Sequence, residues 1–381
     1  MIEIGKPYRK TIGNREAVCA KVTIEGKTEE AWFAVEPEYG EDLTDDRADA
    51  FVVGFLTTAM RLGADIRCEA PVTARLWYQL THYVIPAMSS NMDLYHSIAI
   101  YAQVTDAVLP CKGAVGTGFT GGVDCMYTLY KHQSAPDGFH VTHLLCANNG
   151  ALESDHNSEL LNYMAEKFRG GIAKELGLSV ISVDTNLQLL QEEPYLAVSS
   201  FRLSAVVLAL QKLFRVFLYS AAYEFSRFAF VPENCGYYEF LLLSNFETDT
   251  TVFYSAGAQT SRIRKIEELV GYEPARKYLH PCIYVSRDNC GKCGKCVRTL
   301  GALYALDALD AFHDVFDVEE FLHNKDDYMA QILAKKESQH YGEVLYELKR
   351  WGKELSPEVQ RKARILRAAA AVAKNLKQRE E

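Results

Sequence analysis

With 381 residues, 48% of them hydrophobic and 24% charged, the chain has an ordinary globular balance, which excludes a disordered protein and allows two or three domains. Its net charge of −9 disfavours a surface built for a nucleic-acid backbone, which needs a positive field. No apolar core of signal-peptide length follows Met1, and the most apolar run, 203–222, is broken by Gln211, Lys212 and Arg215, so a cytoplasmic protein without a membrane span is expected.

Two β-prone runs, 17–24 and 31–35, are joined through Glu25-Gly26-Lys27, the pattern of an antiparallel hairpin. Helical periodicity follows at 47–62 and 74–85, then a short strand at 98–102, so residues 1–112 read as an N-terminal α+β region. From Gly113 the pattern changes. Strand-like runs at 114–119, 141–146, 178–183, 216–219 and 251–254 alternate with helical segments near 125–131, 158–176, 203–214 and 261–270. Such alternation predicts an α/β fold with a parallel doubly wound sheet across 113–300, with ligands at the carboxyl ends of its strands. Residues 301–381 read as a helical C-terminal region.

The segment from Gly116 to Cys125, Gly-Thr-Gly-Phe-Thr-Gly-Gly-Val-Asp-Cys, joins the first strand of the alternating region to its first helix. Adjacent glycines let the backbone turn tightly and bring N–H groups to an anion, while the helix behind presents its positive end. No Gly-Lys-Ser/Thr follows, so this is not a Walker loop, and the dinucleotide glycine fingerprint is met only in part. Thr120 to Cys125 instead resembles the S-G-G-x-D-S signature of the pyrophosphatase-loop (PP-loop) family, also called adenine nucleotide α-hydrolase-like. The resemblance implies a HUP-like sheet and cleavage of ATP between its α- and β-phosphates. It also implies that Thr120, Gly121, Gly122 and Val123 hold the phosphates and that Asp124 orders the loop or holds Mg²⁺. Cys125 stands where the family has Ser; at a helix N-terminus it either packs as a small residue or has a lowered thiol pKa.

Cys282, Cys290, Cys293 and Cys296 give C-x7-C-x2-C-x2-C, and four thiolates at that spacing can close a tetrahedral zinc site. An iron–sulfur cluster is the rival, but its usual run continues to a further Cys and a Pro, whereas Val297-Arg298-Thr299 follows here. Zinc is the expected metal. A PP loop followed by this cluster is similar to the 7-cyano-7-deazaguanine synthase family over 113–299, about half the chain, and the flanking regions do not share the likeness. The resemblance implies an ATP-dependent ligase that adenylates a carboxylate, amide or carbonyl oxygen of a small molecule and releases pyrophosphate. Ammonia, an amine or a sulfur donor would then displace AMP. A tRNA-thiolating enzyme and a nucleotide-binding scaffold without turnover are the alternatives, and the acidic balance speaks against the first.

Asn148, followed by Asn149 and Gly150, ends the second of these strands, where the fold would place the adenosine. Asp184, Thr185, Asn186 and Arg202 are further candidates to meet substrate. Arg262 and Lys265, spaced i, i+3 at the start of a helix, are expected to act with Asp124 and Cys125 as the catalytic group, the helix N–H groups helping to neutralise phosphate. The His residues show no metal-binding pairing, and no Cys follows Met1 as a glutaminase nucleophile would. Nitrogen, if transferred, should come from outside the chain; a homodimer is allowed.

Overall fold

The computed structural model describes residues 1–151 and 157–380, with side chains described as far as residue 372. Two compact units divide the chain: Met1–Phe119 with Lys131–Gln259, and Thr120–Tyr130 with Thr260–Glu381.

The first unit holds the described strands β1 (Ile2–Ile4), β2 (Tyr8–Ile12), β3 (Arg15–Ile24), β4 (Lys27–Val35), β5 (Ile66–Cys68), β6 (Val72–Thr73), β7 (Ile100–Tyr101), β8 (Val104–Thr105), β9 (Ala114–Gly118), β10 (His143–Asn148), β11 (Ser179–Thr185), β12 (Phe214–Ser220) and β13 (Val252–Ala256). Eleven of them form one sheet in the order β13-β12-β9-β10-β11-β4-β3-β1-β5-β7, with β2 paired to β3; β6 and β8 pair separately. The fold is α/β with a large, mostly parallel central sheet. All ladders from β13 to β11 are parallel. From β9 the chain winds outward through β10 and β11, then returns to the other side of β9 for β12 and β13. The direction of winding reverses between β9 and β12, as in doubly wound folds.

Local chemistry accounts for much of this. Glu25 and Gly26, with φ of 51° and 81°, form the two-residue turn of the β3–β4 hairpin, and Ile24 faces Lys27 across it. Gly116 lets β9 lie against β12, because a Cβ there would come within 2.5 Å of the Phe214 ring. β4 joins the parallel strands through three antiparallel pairs to β11. Beyond them the Glu36 carboxylate accepts the Ser182 N–H at 3.0 Å, continuing the edge with a side chain. Phe33 packs edge-on to Phe51 at 5.3 Å, and Phe201 lies 5.3 Å from Phe246, all in one buried cluster. Each fully buried side chain of this size contributes roughly 1.5–3 kcal/mol.

Three helices differ from expectation. The segment read as 203–214 is a helix at Tyr195–Leu208, capped by Pro194, and Phe214 already belongs to β12. The segment read as 158–176 breaks at Gly171 into Ser158–Gly170 and Ile172–Leu176. The helix expected at 74–85 continues through a π-helical turn, Leu80–Val84, to Asn91.

The second unit is helical. Arg262–Leu269, Gly294–Ala305 and Gln339–Arg350 pack on one another, and Lys325–Ala334 packs against Gly294–Ala305 and the long helix Pro357–Glu380. No helix among the described residues is long and apolar enough to cross a membrane.

Candidate active site

β9 ends at Gly118, and Thr120–Gly122 turn the chain into the helix Val123–His132. The two glycines do different jobs. Gly121 has φ of 77°, a conformation that costs an L side chain energy, and its carbonyl accepts the His280 N–H at 2.7 Å. At Gly122 a Cβ would meet only Thr120 Oγ1, at an ordinary 3.6 Å. The Gly122 carbonyl accepts the Met126 N–H at 3.0 Å and the Cys125 thiol at 3.2 Å. Burial pushes the Cys125 thiol above its ordinary pKa, outweighing hydrogen bonds from Thr120.

Asp124, one residue before Cys125, carries the charge pattern of the site. Arg262 Nη1 donates to one of its carboxylate oxygens and Lys265 Nζ to the other, the latter at 3.2 Å. Both cations are buried, Lys265 almost completely. Burial alone would raise the Asp124 carboxyl; the charges of Arg262 and Lys265 overcome it and hold the group at about 2. Arg262 Nε is buried with no hydrogen-bond partner among the described residues. Lys265 also lies 5.9 Å from the centre of the Tyr127 ring, whose hydroxyl donates to Glu268 at 3.1 Å.

Three further groups reach this region, none of them singled out from sequence. Lys295 and Arg298, spaced i, i+3, stand in the first turns of Gly294–Ala305, and His340 in the first turn of Gln339–Arg350. Desolvation, then the charges of Arg262 and Arg298, pushes the buried His340 imidazole down to about 3, so it is neutral at pH 7. Desolvation, then the same two arginines, also holds Lys295 below the usual lysine range although the residue is exposed. The i, i+3 basic spacing was the available signal for Lys295 and Arg298, but it is interleaved with cysteines and reads as spacer between ligands. His340 carries no local signal.

The N-terminus of Arg262–Leu269 meets an acidic side chain in this structure. Its Ile263 N–H donates to Glu343 Oε2 at 3.1 Å, so a carboxylate of the chain already meets this helix end.

Asn148 belongs to the first unit, at the end of β10. Its Nδ2 donates to Asp184 Oδ1 at 2.9 Å, and Ser158 Oγ donates to Asp184 Oδ2 at 2.6 Å. Thr185 and Asn186 hold the neighbouring strand: the Thr185 hydroxyl donates to the Trp32 carbonyl at 2.7 Å, and Asn186 donates to the Glu30 carbonyl at 2.8 Å. Arg202 is buried, with Nε on Gln191 Oε1 at 2.7 Å and Nη2 on the Glu193 carbonyl at 3.2 Å.

The sulfurs of Cys282, Cys290, Cys293 and Cys296 all lie within 4.8 Å of one another, a group that could hold a metal ion. A tetrahedral zinc with Zn–S of about 2.3 Å sets its sulfurs about 3.8 Å apart, so small adjustments suffice. The loop aims backbone N–H groups at these sulfurs: Tyr284 to Cys282 Sγ at 3.4 Å, Cys293 to Cys290 Sγ at 3.2 Å and Cys296 to Cys293 Sγ at 3.5 Å. Asn289 braces it, accepting from the Cys282 N–H and donating to the Leu279 and Val315 carbonyls. All ten cysteines are free thiols.

No protein-family model, curated protein or solved structure matches this chain.

Proposed function

We propose that the chain binds ATP through Thr120–Asp124 and adenylates a carboxylate, amide or carbonyl oxygen of a small molecule, releasing pyrophosphate before ammonia, an amine or a sulfur donor displaces AMP. The observation that carries this reading is the buried pair of cations, Arg262 and Lys265, drawn onto Asp124 immediately after a glycine turn that opens a helix. Such a turn presents first-turn N–H groups without intrahelical partners to an anion. In the nucleotide-free chain Asp124 keeps both cations in place and compensated. An arriving phosphate competes for them, so the charge that builds on departing pyrophosphate meets groups already oriented.

A resident Mg²⁺ does not fit at Asp124, because its carboxylate has one oxygen on Arg262 and the other on Lys265. Magnesium enters this reading as a companion of the ATP phosphates. The four cysteines fit zinc. Closed by four thiolates, zinc has no open position and supplies structure and no activated water. Free thiols throughout support a reducing, cytoplasmic setting. The buried, hydrogen-bonded Cys125 favours packing over sulfur carriage.

The test is pyrophosphate release from ATP with panels of small carboxylic acids and amides. Release that depends on one acceptor and falls at least about 100-fold in Arg262→Gln, as loss of an electrostatic stabiliser does, supports the reading. ATP binding without release under any acceptor sinks it in favour of a scaffold, and release that requires tRNA sinks it in favour of thiolation.

A further inference from the structure

Past the carboxyl ends of β10 and β11, the first unit gathers polar groups that the packing of the sheet does not use. Arg202, in the helix Tyr195–Leu208, is 2% exposed and makes no ion pair among the described residues. Its Nε and Nη2 donate to neutral oxygens, the Gln191 amide and the Glu193 carbonyl, and Nη1 donates to none among the described residues. The Glu193 carboxylate is engaged elsewhere, accepting from the Thr58 hydroxyl at 3.0 Å and lying 3.6 Å from Arg61 Nε. A guanidinium buried among neutral partners keeps its charge at a cost that a bound anion would offset.

Two acceptors stand beside its open end. Asn149 is 2% exposed, and its Oδ1 is buried without a hydrogen-bond partner. The same holds for Oε1 of Gln188, whose Nε2 donates to the Asn148 carbonyl at 3.3 Å. Gly150 brings these groups to one place. A Cβ on it would lie 2.9 Å from Arg202 Nη1, 3.3 Å from the Tyr195 ring and 3.5 Å from the Gln188 Cβ. With φ of 95° and no side chain, Gly150 leaves Nη1 uncovered. Buried amides are ordinarily paired, yet neither of these oxygens takes a hydrogen bond from the nearby guanidinium.

We propose that Arg202, Asn149 and Gln188 form a binding site for a small carboxylate that also carries an N–H donor. Arg202 Nη1 takes the carboxylate, the two amide oxygens take the N–H, and the Tyr195 ring walls the carbon between them. The site goes beyond the nucleotide reading and stands on the first unit alone, since no group of Thr120–Asp124 enters it.

Ligand-observed NMR on the full chain tests it with three probes: N-acetylglycine carries both a carboxylate and an N–H, acetate only the carboxylate, and acetamide only the N–H. N-acetylglycine is expected to bind at least about tenfold tighter than either of the others. Asn149→Leu removes an amide that makes no hydrogen bond among the described residues, so N149L/Q188L should stay folded. In that double variant N-acetylglycine should bind no better than acetate, whose own affinity is unchanged. Arg202→Met should weaken both carboxylates at least about tenfold and leave acetamide as it was; if Arg202→Met does not fold, the double variant carries the test. No binding of N-acetylglycine, equal affinity for the three probes, or an N-acetylglycine advantage that survives in N149L/Q188L overturns the proposal. Pyrophosphate release from ATP reports on the other site, so either reading can fail while the other stands.

Discussion

His340 is the residue whose protonation sets a pH limit on the helical unit. Facing Arg262 and Lys265 from one helix, Arg298 from a second and Asp124 from the turn, it titrates near 3 when folded and near its ordinary value of 6.5 when unfolded. Between those values the unfolded chain binds the extra proton, so stability is full above about pH 6.5 and falls as pH drops toward 3. His340→Gln removes that proton uptake. The variant should lose less melting temperature than wild type between pH 7 and pH 4, and equal losses in the two proteins would show that His340 is not held neutral. The two glycines of the turn separate just as sharply. Gly121→Ala forces φ of 77° on an L side chain and should cost about 1–2 kcal/mol by urea denaturation. Gly122→Ala meets no close neighbour and should leave stability within about 0.5 kcal/mol while weakening ATP binding, because only the bound phosphate needs the absent Cβ. Matching stability losses at both positions would contradict this division.

Among the elements, the cysteine loop and the parallel strands were the most legible in sequence, for different reasons. Four cysteines at ligand spacing have few other uses in a reducing compartment, and strands buried on both faces show as apolar runs between helices. The helix Tyr195–Leu208 was misplaced because 203–222 is apolar almost throughout, with no Gly or Pro to mark where the helix stops and β12 starts. Arg262 and Lys265 could be found by spacing after a strand. Lys295 and Arg298 carry the same spacing but read as spacer between cysteines, and His340 carries no local signal, since its approach depends on helices packing together. For the loop itself, Cys290→Ser should lower metal content and melting temperature together, because an incomplete thiolate set binds zinc weakly. Elemental analysis of protein purified without oxygen should give about one zinc per chain and no visible absorption; iron with acid-labile sulfide would replace zinc with a cluster.

At the scale of the molecule, the step that sequence hid is the β11–β4 pairing, a non-local contact with no pattern of its own. Glu36 finishes that seam. Its carboxylate takes the Ser182 N–H and hydroxyl and the Arg169 guanidinium, so Glu36→Ala leaves the Ser182 N–H without this acceptor, while Arg169 keeps Glu166 and the Val180 carbonyl. A loss of about 2–3 kcal/mol is expected, with faster hydrogen exchange at Ser182 and its β11 neighbours. Exchange rates unchanged there would show that the ladder closes without the side chain.

The helical unit takes Thr120–Tyr130 from early in the chain and the rest from after Thr260, and this bears on how the protein is made. Asp124 leaves the ribosome 138 residues ahead of Arg262, an interval on the order of ten seconds at ordinary elongation rates. For that time the glycine turn is synthesised but has no cations to meet, and the strands from β10 to β13 must be produced in between. A chain released before Arg262 would carry the whole signature motif and still lack its counter-charges. Stalled or truncated products should therefore show no phosphate affinity, however well their β-strands have folded.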